Sequence, residues 1–203
     1  MYFDESTHTY YIDGKPVPSV TQLVAPMGKD LNDLEDDYYL ELAVEAAAER
    51  GTVLHAYIAH RLTGGEAEDF EMPSEYQSYA DSVELFLSEH DVKPWIIETP
   101  LYGDGYAGTP DLVCEMDGQA AIVDYKFVSQ ITKSKVGAQL GGYKELCDFN
   151  GISINALAAI HFLRDGRYRL YGVDIGSAAA AFNVCRSLHR FYTQKHPKGR
   201  IFK

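Results

Sequence analysis

Residues 111–126 read DLVCEMDGQAAIVDYK, and this stretch predicts the centre of the fold. Two runs rich in apolar residues lie on either side of the dipeptide Asp117-Gly118. An Asp-Gly pair between two such runs is the strongest short signal for a β-hairpin closed by a two-residue type I′ turn. The sequence therefore predicts antiparallel strands at 111–116 and 119–127.

The predicted turn also fixes which residues face each other. It pairs Met116 with Gln119, and counting back along both strands pairs Asp111 with Asp124. Their Cβ atoms would then lie roughly 4.5–5.5 Å apart, and Lys126 would share their face of the sheet. Two facing carboxylates repel each other, and a divalent cation bound by both would remove the repulsion. The alternative interpretation is a surface salt bridge between Lys126 and two aspartates at strand ends.

The rest of the chain alternates between helical and strand patterns around this hairpin. Strands are predicted at 9–12 and 15–17, at 95–101, and in a second hairpin at 157–163 and 167–173 that turns at Asp165-Gly166. Helices are predicted after the N-cap Ser19, at 34–50 with Gly51 as C-cap, at 52–62, at 73–90, at 134–149 and at 177–195. This order indicates an α/β (α+β) fold with a central mixed β-sheet flanked by helices. We expect a single domain over 1–203, with 1–33 as an N-terminal hairpin and helix decoration and 94–175 as the catalytic sheet core.

Composition limits the class of protein. The 203 residues are 46% hydrophobic, which is enough for one domain with a substantial core. No apolar run approaches the roughly 20 residues that span a bilayer, and the N-terminus lacks a signal peptide pattern, so we expect a soluble cytoplasmic protein. A net charge of −12 argues against a protein that coats nucleic acid with its whole surface, although 186–203 holds six Lys/Arg and no acid. The three scattered cysteines cannot complete a four-cysteine site, so no iron–sulfur cluster is expected.

Two short motifs carry a resemblance to a known family. Gly108-Thr109-Pro110-Asp111, followed by Val123-Asp124-Tyr125-Lys126, resembles the PD-(D/E)XK nuclease superfamily. Accessory stretches resemble its RecB-type and phage exonuclease members: Gly51–His55, Glu98, Gln139–Tyr143, Thr7–Tyr10 and Pro18–Thr21.

The resemblance implies a restriction-endonuclease-like core and Mg²⁺ or Mn²⁺ as the cofactor. It implies Asp111, Asp124 and the backbone carbonyl of Tyr125 as metal ligands and Lys126 as the catalytic lysine. It also implies His55 as a further metal ligand and Glu98 as a second-metal or water-positioning carboxylate. On spacing alone His55 would be an ordinary helical histidine, and Glu98 an exposed strand glutamate.

The helix predicted after the hairpin carries further candidates. Gln139 and Tyr143 are four residues apart and share one helix face, where they would brace the site or contact DNA, or else pack in the ordinary way. Lys133 and Lys135 are candidate phosphate contacts, with a solvated face as the alternative. Gly141-Gly142 in the middle of a helix indicates close packing of this helix on the sheet or on DNA.

These observations together predict a metal-dependent deoxyribonuclease. The resemblance favours a phage-type or prophage-encoded exonuclease of recombination or repair, in a bacterial host cell. Its expected partner is DNA, with a single-strand annealing or recombination protein and an oligomeric state as further options. The alternatives are a structure-specific or restriction-like endonuclease, a non-catalytic DNA-binding protein on the same fold, and a metal-binding regulatory domain.

Overall fold

The computed structural model describes residues 1–28 and 38–193, with the side chains of all these residues except 38–46. Within these ranges the strands are β1 Tyr2–Asp4, β2 Thr9–Ile12, β3 Lys15–Val17, β4 Val92–Ile97, β5 Leu101–Tyr102, β6 Ala107–Gly108, β7 Leu112–Met116, β8 Gln119–Lys126, β9 Ala156–Phe162 and β10 Tyr168–Val173. The α-helices are α1 Val20–Val24, α2 Tyr38–Leu62, α3 Gln77–Glu89, α4 Lys133–Phe149 and α5 Ile175–Thr193.

A five-stranded sheet forms the centre, in the order β10-β9-β8-β7-β4. Strands β8 and β9 are parallel, and the other neighbours in this sheet are antiparallel. A parallel pair needs a long crossover connection, and α4 lies within it between β8 and β9. The predicted fold is confirmed: a mixed sheet flanked by helices, as in a restriction-endonuclease-like core.

Side chains alternate between two apolar cores, one on each face of the sheet. On one face Val113 and Ile122 pack in a cluster with residues of α1, α4 and α5. On the other face Leu112 and Val123 pack in a cluster with residues of α2 and α3. Because successive strand residues point to opposite faces, the even-numbered positions after Ile122 on β8 share its face, the one that α4 covers.

The N-terminal hairpin and the helix after it are confirmed. Strands β2 and β3 pair across Asp13-Gly14, whose φ angles of 50° and 72° are both positive, as a type I′ turn requires. Ser19 caps α1 in a capping box with Gln22, in which side chain and backbone bond reciprocally. The sequence analysis did not predict β1, which extends this hairpin into a three-stranded sheet.

The two helices predicted at 34–50 and 52–62 are one continuous helix over its described part, and this prediction was wrong. Gly51 lies inside α2 rather than at its C-cap, and the Thr52 hydroxyl donates to the carbonyl of Ala48 at 3.1 Å instead of capping a new helix. A glycine costs a helix about 1 kcal/mol, which the burial of Leu54, Tyr57 and Ile58 just after it offsets. Residues 34–37 of the prediction lie outside the described residues.

Gly141 and Gly142 allow two helices to approach closely. A Cβ at Gly141 would lie 2.2 Å from the carbonyl oxygen of Ala178 in α5, and a Cβ at Gly142 would lie 2.7 Å from the Phe182 ring and 2.8 Å from Val20. The expected contact with the sheet or DNA is therefore corrected to a contact with α5 and α1. This packing holds α4 in place above β8.

The last helix begins at Ile175 and is described to Thr193. The predicted end at Lys195 and the cations that follow it lie outside the described residues. In the part of the chain that the structure covers, no helix combines the length and apolarity needed to cross a membrane.

Candidate active site

The hairpin formed by β7 and β8 has the predicted register. It pairs Met116 with Gln119 at the turn and Leu112 with Val123 at the other end. Asp117 and Gly118 have φ angles of 51° and 78°, as a type I′ turn requires. The open end of this hairpin, opposite the turn, therefore holds Asp111 and Asp124.

Asp124 is a carboxylate that the fold buries at the open end of the hairpin. Its side chain is 1% exposed, and among the described residues neither of its oxygens has a hydrogen-bond partner. Burial raises its pKa to about 6, the charge of Asp111 adds to the rise, and the charge of Lys126 opposes it. A buried acid in this state is costly, because its oxygens lose the hydrogen bonds that they make with water in the unfolded chain.

Lys126 supplies the nearest positive charge. Its Nζ lies 2.6 Å from Oδ2 of Asp124, and the two groups form an ion pair. Burial works against its charged form, but the carboxylates of Asp124 and Asp111 outweigh burial and raise its pKa. The lysine therefore stays protonated beside the two aspartates.

Asp111 lies one residue before β7 and is oriented by the hairpin itself. Its Oδ2 accepts a hydrogen bond from the backbone N–H of Tyr125 at 2.7 Å, and its backbone carbonyl accepts one from Glu98 at 3.2 Å. The last paired residues of β7 and β8 are Leu112 and Val123. The side chain of Asp111 therefore reaches towards β8 beyond the last pair. Its Oδ1 lies 3.9 Å from Nδ1 of His55.

His55 and Glu98 meet at the same end of the hairpin. Nδ1 of His55, on α2, lies 2.7 Å from Oε1 of Glu98 in a hydrogen bond. Burial lowers the pKa of His55, but the hydrogen bond to Glu98 and the charge of Asp111 outweigh burial, and the net pKa is raised. The ring packs edge-on against Tyr125 and Phe127, with centroids 5.6 and 5.7 Å away. These contacts fix the ring beside the two aspartates.

Glu98 is not on a strand, and the predicted strand at 95–101 is corrected here. Strand β4 ends at Ile97, and Glu98 has a φ of 41°, in the left-handed region. A residue other than glycine pays a conformational cost there, and such residues cluster at functional sites. The reversal turns the carboxylate of Glu98 towards His55 instead of continuing the strand.

The oxygen atoms at this end suit a hard divalent cation. Within the described ranges, no group of three or more His, Cys, Asp and Glu side chains is gathered closely enough to hold a metal ion. Mg²⁺, however, usually binds one or two carboxylates and keeps several waters. The oxygens of Asp124, which have no hydrogen-bond partner among the described residues, and those of Asp111 supply two such carboxylates. The residues present therefore fit the cofactor that the motif implies.

Gln139 and Tyr143 lie on the face of α4 that covers the hairpin. Nε2 of Gln139 donates to the Tyr143 hydroxyl at 3.0 Å, and both side chains are buried. Burial raises the pKa of Tyr143, and the nearby charge of Asp111 adds to the rise. Gln139 and Lys126 line one cavity of about 280 Å³, together with Thr21 and Lys135.

The two lysines predicted as phosphate contacts separate. Lys135 lines the cavity that Lys126 also lines. Lys133 instead lies over the ring of Tyr171, with Nζ 5.2 Å from the centroid. The structure thus brings only Lys135 close to the hairpin's open end.

The sequence analysis named no site residue in the N-terminal sheet, yet this sheet forms one wall of the site. A cavity of about 520 Å³ is lined by Phe3, Glu5, His8 and Tyr10 on one side, and by Glu98, Pro100, Thr109 and Asp111 on the other. The hydroxyls of Tyr10 and Thr109 join the two sides with a 2.7 Å hydrogen bond. The stretch Thr7–Tyr10, quoted for its resemblance to phage-encoded nucleases, was the signal that could have found this wall.

Comparisons with known proteins give a weak likeness. No protein-family model and no curated protein matches the chain. A crystal structure of an alkaline exonuclease (LHK-Exo) from Laribacter hongkongensis has a TM-score of 0.35 and 12% identity over 87% of this chain and 91% of that chain. The structure of LHK-Exo in complex with dAMP has a TM-score of 0.36 and 12% identity over 87% of this chain and 93% of that chain. Likeness at this level assigns neither a family nor a function, so the site's own residues must carry the assignment.

Proposed function

We propose that the protein is a metal-dependent deoxyribonuclease that hydrolyses phosphodiester bonds at the open end of the β7–β8 hairpin. The observation that carries this proposal is Asp124, a buried carboxylate whose two oxygens lack a hydrogen-bond donor among the described residues, beside Asp111 and a protonated Lys126. Among the described residues, the one ion pair of Asp124 is with Lys126. A divalent cation is the partner that would use both of its oxygens.

The residues divide the chemistry between them. Asp111, Asp124 and the carbonyl of Tyr125 would hold Mg²⁺ or Mn²⁺, which polarises a phosphate and lowers the pKa of a bound water. Lys126 is positioned to stabilise negative charge that develops on a phosphate oxygen. Its present contact with Asp124, at 2.6 Å, keeps it within reach of any group that binds there.

His55 and Glu98 complete the set from outside the hairpin. The 2.7 Å hydrogen bond between them orients the imidazole towards Asp111, whose Oδ1 is 3.9 Å from the same nitrogen. Such an arrangement lets the histidine serve as a further ligand, or hold the carboxylate of Asp111 in place. The exonucleolytic form of the proposal, and a role in recombination or repair, rest on the sequence resemblance to RecB-type and phage exonucleases.

Cleavage assays test the proposal directly. End-labelled linear duplex, linear single strand and closed circular DNA are incubated with the protein in Mg²⁺, Mn²⁺ or EDTA. We expect metal-dependent cleavage of the linear substrates, its loss in EDTA and its loss in Lys126→Ala. Cleavage of the circle at the same rate would identify an endonuclease instead, because an exonuclease needs an end.

Lys93→Ala is the matched control. Lys93 also pairs with a carboxylate, since its Nζ lies 2.7 Å from Glu115 on the neighbouring strand β7, but 59% of its side chain is exposed and it lies on β4 away from the aspartates. We expect Lys93→Ala to cleave like the wild type. Metal-dependent cleavage that is undiminished in Lys126→Ala would overturn the proposed role of the lysine, and DNA binding with no cleavage in any metal would favour a non-catalytic protein.

A further inference from the structure

A further cavity lies between α2, α3 and the β9–β10 hairpin. Its volume is about 850 Å³, and three arginines line it: Arg50, Arg164 and Arg169. Among the described residues Asp165 is the one acid in its lining, and it is already bound by the neighbouring Arg167, whose Nε donates to it at 3.0 Å. A cavity rich in arginine is unexpected in a chain with a net charge of −12.

Two of these guanidinium groups are held in place by one aromatic ring. The guanidinium carbon of Arg50 lies 5.5 Å from the centroid of the Tyr79 ring, and that of Arg164 lies 6.0 Å from it. Arg50 also donates from Nε to the carbonyl of Phe127 at 3.0 Å, and Arg164 donates from Nε to the hydroxyl of Tyr79 at 3.2 Å. Each bond uses one donor of a group that has five, so several donors stay available to a ligand.

In the part of the chain that the structure describes, the three arginines of this pocket also lack a counter-ion. Across the described residues, none of them lies within ion-pair distance of a carboxylate, whereas Arg61, Arg167 and Arg186 each pair with one. Guanidinium groups recognise phosphate in a two-point geometry that a lysine cannot provide. Unpaired arginines gathered around one cavity therefore point to an anionic ligand.

Val128 connects this pocket to the proposed active site. It follows β8 two residues after Lys126, and it lines both the arginine cavity and the cavity that contains Lys126. A chain of phosphates that passes Lys126 and crosses Val128 would meet the arginines next. We propose that Arg50, Arg164 and Arg169 bind a phosphate group of the nucleic-acid strand whose cleavage the active site performs; this rests on the proposed function.

Oligonucleotide binding without turnover tests the pocket. Fluorescence anisotropy with a labelled single strand in EDTA compares the wild type, Arg169→Gln and the double variant Arg164→Gln/Arg169→Gln. We expect roughly tenfold weaker binding in the double variant and a smaller loss in Arg169→Gln. The slope of log affinity against log salt concentration should become less steep by about one for each phosphate contact removed. Arg167→Gln is the matched control, because Arg167 lies on the same hairpin but pairs with Asp165, and it should bind within about twofold of the wild type.

Strands with different 5′ ends show whether the pocket binds a terminal or an internal phosphate. Weakening that occurs only with a 5′-phosphorylated strand identifies a terminal phosphate, whereas equal weakening for 5′-phosphate and 5′-hydroxyl strands identifies an internal backbone phosphate. Competition by inorganic phosphate supports a site for the isolated group. The double variant also removes the contact between Arg164 and Tyr79. If that loss harms folding, the single variant Arg169→Gln keeps the test valid, because Arg169 makes no ion pair among the described residues.

The two proposals fail in different ways. If the wild type cleaves DNA and both arginine variants bind and cleave like it, the phosphate pocket is overturned and the nuclease stands. If no DNA is cleaved in any metal but oligonucleotide binding is lost in the arginine variants and kept in Arg167→Gln, the pocket stands and the nuclease proposal fails. If Arg167→Gln and Arg169→Gln weaken oligonucleotide binding equally, the effect comes from the loss of positive charge in general, and the pocket is overturned.

Discussion

The two ends of the β7–β8 hairpin each place a histidine beside a carboxylate, at nearly equal distances. At the turn, Nδ1 of His90 lies 2.6 Å from Asp117, and at the open end Nδ1 of His55 lies 2.7 Å from Glu98. At the turn the partners are complete: the other oxygen of Asp117 accepts from the N–H of Asp91 at 2.9 Å, and Nε2 of His90 meets the hydroxyl of Tyr168 at 3.0 Å.

The open end differs because its buried carboxylate, Asp124, has no hydrogen-bond partner among the described residues. The hydrogen bond from His90 holds the pKa of the half-exposed Asp117 below its ordinary value, whereas burial raises the pKa of Asp124 to about 6. A histidine–carboxylate pair therefore does not mark a functional site by itself. Burial of an acid without hydrogen-bond donors does, because folding alone gives no reason to keep it there.

The largest expected effect comes from making the same substitution, aspartate to asparagine, at each end of the hairpin. Asp124→Asn should reduce metal-dependent cleavage by roughly 10³-fold or more, because it removes a charged ligand from the proposed metal and a partner of Lys126. Asp117→Asn, on the same hairpin, should cleave like the wild type. End-labelled assays in Mn²⁺, with circular dichroism as a check of folding, measure both. Equal losses in the two variants would show that the ends do not differ in function.

The hairpin itself could be predicted because its signal is local. Asp117-Gly118 specifies the turn, and the turn fixes every pair up to Leu112 and Val123. The same reasoning gave the N-terminal hairpin at Asp13-Gly14. Local signals of this kind depend on only a few adjacent residues, so tertiary packing rarely overrides them.

The features that the sequence analysis missed depend on contacts between distant residues. The reversal at Glu98 cannot be read from its neighbours, because a positive φ at a glutamate is tolerated only where surrounding groups impose it. Gly51 looked like a helix end because glycine is common there, but tertiary context let α2 continue. The wall formed by His8 and Tyr10 is separated from Asp111 by about half the chain, so no pattern of spacing could place them together.

The second prediction tests the histidine–carboxylate pairs themselves. His55→Ala and Glu98→Gln should raise the Mn²⁺ concentration for half-maximal cleavage by about 10–100-fold, because the imidazole then no longer supports Asp111. His90→Ala, at the turn, should leave that concentration unchanged. A metal titration of the initial rate measures the effect. An unchanged requirement in His55→Ala would restrict the metal site to the hairpin's own carboxylates.

The third prediction follows from the opposite pKa shifts at the two ends. Asp124 must lose its proton before it can bind a cation, and its pKa is about 6. Metal affinity should therefore rise about fivefold from pH 5 to 6, then level off above pH 7 as Asp124 becomes fully ionised. Asp117, whose pKa is lowered, is ionised throughout and adds nothing to this slope.

Calorimetric titration of Mn²⁺ into the wild type at several pH values between 5 and 8 measures that slope. His55, whose pKa is raised above 6.5, adds a further rise that levels off at a higher pH than that of Asp124 if its nitrogen binds the metal. The wild type and His55→Ala together separate the two contributions. An affinity that is flat between pH 5 and 7 would contradict the assignment of Asp124 as a ligand.

The smallest expected effect lies at the turn and concerns stability. His90→Ala removes hydrogen bonds to Asp117 and Tyr168 and a ring contact with Phe86 at 4.9 Å between centroids. The free energy of unfolding should fall by about 1–2 kcal/mol in denaturant titrations. Cleavage at saturating metal should not change, because the turn and the open end are separated by the length of the β7 strand, about 17 Å. A His90→Ala variant that stays folded but loses cleavage would couple the two ends, and the contrast between a structural and a functional histidine pair would no longer hold.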